Sequence, residues 1–202
     1  MLIEPHAVAP LALYKALVGG IIPRPIAWVS TVNASGLSNL APYSFFSVAS
    51  CNPPILTITN VPSGDRLAKD TLTNLLETKA CVVNIVTATE IDNMNASCAN
   101  YSPQQSEIEV LGIETVASYK VQPCGVKASP VRYECTLREV MTLSDQPMGG
   151  VLILLDVVAI YIDDCVLEGG MINANLLNAV GKLGANDYAL ANSDFTRSRP
   201  ER

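Results

Sequence analysis

The apolar positions of this chain fall into short runs of strand length, broken by glycine, proline and asparagine, with helix-period stretches inserted between them. Residues 10–19, PLALYKALVG, read as a short helix with Leu11, Tyr14, Leu17 and Val18 near one face, ended by Gly19-Gly20. Pro25 to Val32 form the first expected core strand. A turn at Asn33-Ala34-Ser35-Gly36 leads to a second run, Asn39 to Ser50, and Asn52-Pro53-Pro54 separates it from a third, Ile55 to Asn60. Val61-Pro62-Ser63-Gly64 reads as a loop. Lys69 to Lys79 turns helical, with Asp70 as N-cap and Leu72, Leu75 and Leu76 as its apolar stripe. Ala80 to Val86 is an expected buried strand, and Thr89 to Asn95 a short helix capped by Thr89. Residues 101–112 are polar and read as a loop with a helical turn. Thr115 to Tyr119, Val131 to Met141 and Val151 to Ile162 are further strands, the last expected to be buried on both faces. Asn173 to Ala191 mixes helix signals with Gly181 and Gly184, and residues 192–202 read as a frayed tail.

Strand and helix do not alternate regularly, which disfavours a parallel doubly wound sheet. The pattern fits a mainly β chain: a closed antiparallel barrel with short helical insertions, forming a single domain over residues 1–202. Composition sharpens this. With 49% hydrophobic and 16% charged residues the chain folds, and part of its apolar surface is expected against another subunit. A net charge of −6 without a basic cluster argues against nucleic acid. The longest apolar run, Val151 to Ile162, is interrupted by Asp156 and falls short of a membrane span. Six scattered cysteines, with no C-x-x-C pair and a single histidine (His6), exclude zinc-type spacing. With no secretory signal in MLIEPHAVAP, the thiols read as reduced and the protein as cytoplasmic.

The chemistry is narrowed first by what is missing. No G-x-G-x-x-G, no phosphate-loop motif and no G-x-S-x-G elbow occurs, and no carboxylate pair stands out. An enzyme so equipped takes its chemistry from a cofactor. Three segments could hold one. In Asn39 to Ser50, Ser44, Ser47 and Ser50 interleave with Phe45, Phe46 and Val48, and the adjacent phenylalanines cannot share one face of a strand. Lys69-Asp70-Thr71 heads a helix whose first N–H groups suit a phosphate, or is simply an ordinary capped helix start. Val180-Gly181-Lys182-Leu183-Gly184 brings backbone close to something flat or anionic, or is a helix end with a glycine cap. Arg24 is either a further cation for such a site or half of a surface salt bridge.

Together these segments resemble the flavin reductase-like family, over roughly residues 10–190. The resemblance rests on PRPIAWVSTVNASGLSNLAPYSFFSVASCNPP, on Lys69-Asp70-Thr71 with Asn74, and on Cys81-Val82-Val83-Asn84, Met94-Asn95, Ser129-Pro130 and Glu134-Cys135 in order. The tail VGKLGANDYA is similar to the family's closing motif, with Lys182 in place of an arginine and Ala185 in place of a glycine. The resemblance implies an FMN-binding split barrel, six-stranded, antiparallel and Greek-key, pairing into a homodimer. It implies that Ser30 and Thr31 end the first strand beside FMN. Asn39, Ala41, Tyr43, Ser44, Phe45 and Phe46 would lie along its ring and ribityl chain, and Lys69, Asp70 and Thr71 at its phosphate. Asn95, Gly181 and Lys182 would reach the flavin from the same or the partner subunit. The implied activity passes hydride from NAD(P)H through FMN to an electron acceptor, with no catalytic side chain and no metal. The alternatives are an FMN-binding electron carrier without a nicotinamide site, and a β-barrel binding protein without flavin.

Overall fold

The computed structural model describes residues 1–62 and 70–200. Its elements run α1 Pro10–Gly20, β1 Arg24–Pro25, β2 Ala27–Val32, β3 Ser38–Tyr43, β4 Phe46–Cys51, β5 Pro54–Asn60, α2 Asp70–Thr78 and β6 Ala80–Ile85. There follow α3 Ile91–Ala96, α4 Glu107–Leu111, β7 Thr115–Val116, β8 Gly125–Val126, β9 Val131–Thr142 and β10 Val151–Ile162. The chain closes with β11 Leu167–Glu168, β12 Met171–Ile172, α5 Ala174–Leu177, β13 Val180–Lys182 and β14 Tyr188–Leu190.

Seven strands form one sheet in the order β3-β2-β6-β9-β10-β5-β4. Every pairing in it is antiparallel. The sheet curls round a single core: Val29 of β2, Tyr43 of β3, Ile58 of β5, Val83 of β6, Cys135 of β9 and Ile153 of β10 lie in one buried cluster. Leu72 and Leu75 of α2 join that cluster, so the helix packs its apolar stripe into the curl. A second cluster covers the outer face of β2, β3 and β6, where Trp28 and Leu40 meet Met94 of α3, Ile108 of α4 and Val180 of β13. Lying between two cores, β2 is buried at every position. Polar groups trapped there are paired: Trp28 Nε1 donates to Ser97 Oγ at 2.9 Å, and Asn84 donates to Trp28 O and accepts from Val126 N, both at 2.8 Å.

The expected six strands become seven because the run Asn39 to Ser50 divides. The strand breaks between Tyr43 and Phe46. The two pieces are the two edges of the sheet, so the curl stays open in its ladder and is spanned at this corner by the two-residue link. Thr59 N donates to Phe45 O at 2.8 Å and staples the link to β5.

Other boundaries moved for local reasons. Gly19 and Gly20 sit in the last turn of α1, which Ile21 closes by donating to Leu17 O. Thr89 lies inside a 3₁₀ turn, Ala88–Glu90, ahead of α3 and makes no side-chain cap. The expected strand Thr115 to Tyr119 shrinks to two residues. Val151 to Ile162 is a strand over the expected span but is not buried on both faces, since Val158, Ile160 and Tyr161 are exposed. Gly181 lies in β13 rather than at a helix end, and a Cβ there would stand 2.7 Å from Pro23 Cβ, which is why the position needs glycine. Residues 191–200 carry no helix or strand. Among the described residues no helix is long and apolar enough to cross a membrane.

Candidate functional site

The strand break opens onto a cavity of about 320 Å³, whose wall runs from Pro42 to Phe45, across Thr59 to Pro62, and is completed by Leu11, Tyr14 and Met148. Breaking the strand has an electrostatic consequence. Among the described residues, neither the Ser44 N–H nor the Phe45 N–H donates to a backbone carbonyl. Such donors are costly to leave unpaired away from water. Asn60, the last residue of β5, also borders the cavity. Asn60 is fully buried, and neither its carboxamide nitrogen nor its oxygen has a hydrogen-bond partner among the described residues. Aromatic surface completes the site: the Tyr14 and Phe45 rings meet at 6.4 Å with 35° between their planes.

Behind Tyr43 a buried polar chain runs toward α2. Asn39 Nδ2 donates to Thr71 Oγ1 at 3.0 Å, and Asn74 Nδ2 donates to Thr31 Oγ1 at 3.0 Å. Burial pushes the Tyr43 phenol far above its ordinary range, partly offset by a hydrogen bond from Thr71. At the start of α2 a smaller cavity of about 180 Å³ is bordered by Ser38, Asn39, Asp70 and Asn74. Asp70 is the first helical residue described, and Thr71 turns its hydroxyl inward, fully buried. Lys69, expected beside them, lies outside the described residues.

The expected site residues therefore separate into groups. Tyr43, Ser44 and Phe45 border the larger cavity. Phe46 packs on the core. Ala41 also faces the core, and Thr31, Asn39 and Thr71 form the polar chain. Ser30 points to the other face of β2, where its Oγ donates to Cys124 O at 2.5 Å. Asn95, Gly181 and Lys182 belong to the β13–β14 region. There Asn95 Oδ1 accepts from the Tyr188 hydroxyl at 3.2 Å, and the Lys182 ammonium donates to Ala185 O at 2.6 Å while lying 3.9 Å from the Tyr188 ring centroid. Burial, followed by the charge of Arg24, lowers the Lys182 pKa.

Arg24 joins that region to the cavity wall. Among the described residues it makes no salt bridge. The guanidinium is buried, with Nη1 donating to Val18 O at 2.6 Å and Ile21 O at 2.9 Å, Nη2 to Leu183 O at 2.9 Å, and Nε to Ser44 Oγ at 3.4 Å. Asn60 was missed in the sequence. The signal was there: Leu56, Ile58 and Asn60 share one face of β5, so the alternation that buries the first two buries an amide at the third. Tyr14 and Met148 were missed as well, because only the fold brings α1 and the β9–β10 connection to this corner.

Residues 19–183 match the flavin reductase like domain. The chain belongs to the flavin reductase-like family. It is 36% identical over 191 residues to the uncharacterised protein YwrF of Bacillus subtilis, covering 93% of each chain. Its fold superimposes on nitrilotriacetate monooxygenase component B from Bacillus cereus with a TM-score of 0.91 at 31% identity, covering 98% of both chains. It also superimposes on the 2-nitrobenzoate 2-nitroreductase NbaA of Pseudomonas fluorescens with a TM-score of 0.89 at 25% identity, covering 99% of this chain and 96% of that one.

Proposed function

We propose that the protein is an FMN-dependent oxidoreductase that takes hydride from NAD(P)H and passes the electrons to a separate acceptor, working as a cytoplasmic homodimer. The observation that carries the reading is the broken strand: two backbone donors at Ser44 and Phe45 and the Asn60 amide, which has no partner among the described residues, border one cavity of about 320 Å³. That donor set fits a flat ring whose edge presents both carbonyl oxygens and an N–H. The Ser44 and Phe45 amides suit the oxygens, while the Asn60 carboxamide supplies a donor and an acceptor side by side. FMN, when bound, supplies hydride acceptance and release.

The chain's own groups bind, orient and exclude water. Tyr14 and Phe45 offer aromatic surface to the ring, and fixed amide dipoles stabilise charge that develops on it without reorganising. Lys69, Asp70 and Thr71 at the head of α2 are proposed for the phosphate, through the lysine charge and the helix's first N–H groups. Leu17, Ile21 and Ile160 leave large apolar side chains exposed, which supports burial against a second copy. All six cysteines are free, in keeping with a reducing compartment.

The test is anaerobic mixing of the FMN-loaded protein with NADH and with NADPH. Rapid loss of the yellow absorbance with either supports the enzyme. A protein that stays yellow with both and is reduced only by another protein would be an electron carrier.

A further inference from the structure

Away from the broken strand, a cavity of about 300 Å³ lies against the outer face of β9 and β10. Arg132 and Glu134 stand two positions apart on β9 and share that face with Val82 of β6 and with Ala159 and Tyr161 of β10. Residues 116–119 and Gly125 form the facing wall. None of these residues borders the cavity at the broken strand. Ile160 borders the new cavity as well, but it pairs with Tyr133, which packs on the inner core. Its side chain therefore takes the opposite face of β10, and burial of Ile160 against a second copy does not cover Arg132 and Glu134.

Both charged residues are more than nine-tenths buried, at 8% and 7% exposure, yet they form no ion pair with each other. Backbone holds each of them instead. Arg132 Nη1 donates to Ser129 O at 2.7 Å, to Val126 O at 3.3 Å and to Lys127 O at 3.5 Å, and the guanidinium carbon lies 3.8 Å from the Tyr161 ring centroid. Glu134 Oε1 accepts the Tyr119 N–H at 2.7 Å, and Oε2 accepts the Lys120 N–H at 2.5 Å. Capacity is left over on both. Among the described residues Arg132 Nε and Nη2 have no hydrogen-bond partner, and each Glu134 oxygen keeps a lone pair. Gly125 makes the room that the guanidinium occupies, since a Cβ there would stand 2.6 Å from Arg132 Cδ.

Two buried charges of opposite sign, held apart, select against most guests. An anion gains Arg132 but meets the Glu134 carboxylate, a cation meets the reverse, and an uncharged guest offsets neither. A guest carrying both signs satisfies both. Its carboxylate suits the Nε–Nη2 edge of Arg132 in the two-pronged geometry a guanidinium favours, and its ammonium suits Glu134. Val82, Val116 and Ala159 offer apolar surface to the rest of it. We infer that this cavity binds a small zwitterion, an α-amino acid with an aliphatic side chain. Its volume lies at the lower end of small-molecule sites, about 300–1,000 Å³, as a guest of that size requires. The inference stands whether or not the first cavity takes FMN.

The experiment is calorimetric titration of the full chain with L-leucine, with 3-methylbutylamine, which lacks its carboxylate, and with 4-methylpentanoate, which lacks its ammonium. Each titration is run with and without saturating FMN. Leucine is expected to bind one per chain, at least ten times tighter than the amine or the acid, with FMN leaving its affinity unchanged. Ala117→Trp fills the cavity from an exposed residue, so the fold tolerates it. It is expected to weaken leucine at least tenfold while leaving FMN binding intact. Glu134→Gln removes the negative charge. It is expected to weaken leucine and to tighten 4-methylpentanoate at least tenfold over the wild type, a gain that mere loss of packing does not produce.

No leucine binding by the wild type would overturn the inference, and so would an amine or acid that binds as tightly as leucine. Competition by FMN, or normal leucine binding in Ala117→Trp, would overturn it by moving the probe elsewhere. A folded Glu134→Gln protein with unchanged affinity for 4-methylpentanoate would overturn the assignment of the two charges. Should that variant not fold, the wild-type and Ala117→Trp titrations decide. The two cavities share no residue, so these failures leave the FMN assignment untouched.

Discussion

Asn60 carries the most weight among single residues. Its carboxamide is buried without a partner among the described residues, an arrangement that costs about 1–3 kcal/mol unless something repays it. Replacing it by leucine, close in volume, separates the two roles. Asn60→Leu is expected to raise the urea midpoint of the flavin-free protein and to weaken FMN binding at least tenfold. If both stability and affinity fall, Asn60 is an ordinary core group; if affinity is unchanged, it does not face the ligand.

Glu107 is a contrasting buried polar residue, outside the site. Its carboxylate accepts Leu40 N–H at 2.9 Å, yet burial outweighs that bond and raises its pKa. The folded state therefore binds the Glu107 proton more tightly than the unfolded chain does. Stability from this group is full below the unfolded value of about 4.3 and is lost as pH rises through the raised folded value. Glu107→Gln still offers an oxygen to Leu40 but has no charge to bury. It is expected to be more stable than the wild type at pH 7, the gap closing as the pH falls toward about 4. Urea melts at several pH values check this, and a gap that widens on acidification would contradict it. Neither residue's burial could be read from composition. Asn60 was legible from strand phase, whereas the Glu107–Leu40 contact spans 67 positions and only the fold creates it.

Among the elements, the strands were the most legible. Val131 and Val151 begin their strands where the apolar pattern starts, because long alternating runs have one buried phase. The undivided reading of Asn39 to Ser50 did not hold, since the run divides after Tyr43. Periodicity reports that a strand is present; it does not report where a corner interrupts its ladder. The link between α1 and the sheet was not legible at all. It rests on Arg24, whose acceptors come from residues 18, 21, 44 and 183. Lysine keeps the charge but lacks the planar fork. Arg24→Lys is expected to cost about 2–3 kcal/mol, the scale of charged hydrogen bonds lost on burial, and to speed amide exchange throughout α1. Unaltered exchange in α1 would show that Arg24 does not hold the helix.

The whole molecule is an antiparallel sheet with two cores, one inside its curl and one outside β2, β3 and β6. That double support fixes β2 and β3 on both faces and lets β3 end abruptly at Tyr43. The cavity exists because the two sheet edges meet there without pairing. Fold class and family were legible from the sequence, since the motif blocks keep their order along the chain. The grouping of site residues was not: Thr31, Asn39 and Thr71 proved to be an internal polar chain, and Ser30 faces the opposite side of the sheet. One strand position decides which face a residue takes, and a motif match does not resolve that choice.

Equilibrium titration of the purified chain with FMN, followed by flavin fluorescence, tests the central claim most directly. Saturable binding at one FMN per chain, weakened at least tenfold in Asn60→Leu, is the expected result. Flavin emission that stays that of free FMN at every protein concentration would contradict a flavin site at the broken strand.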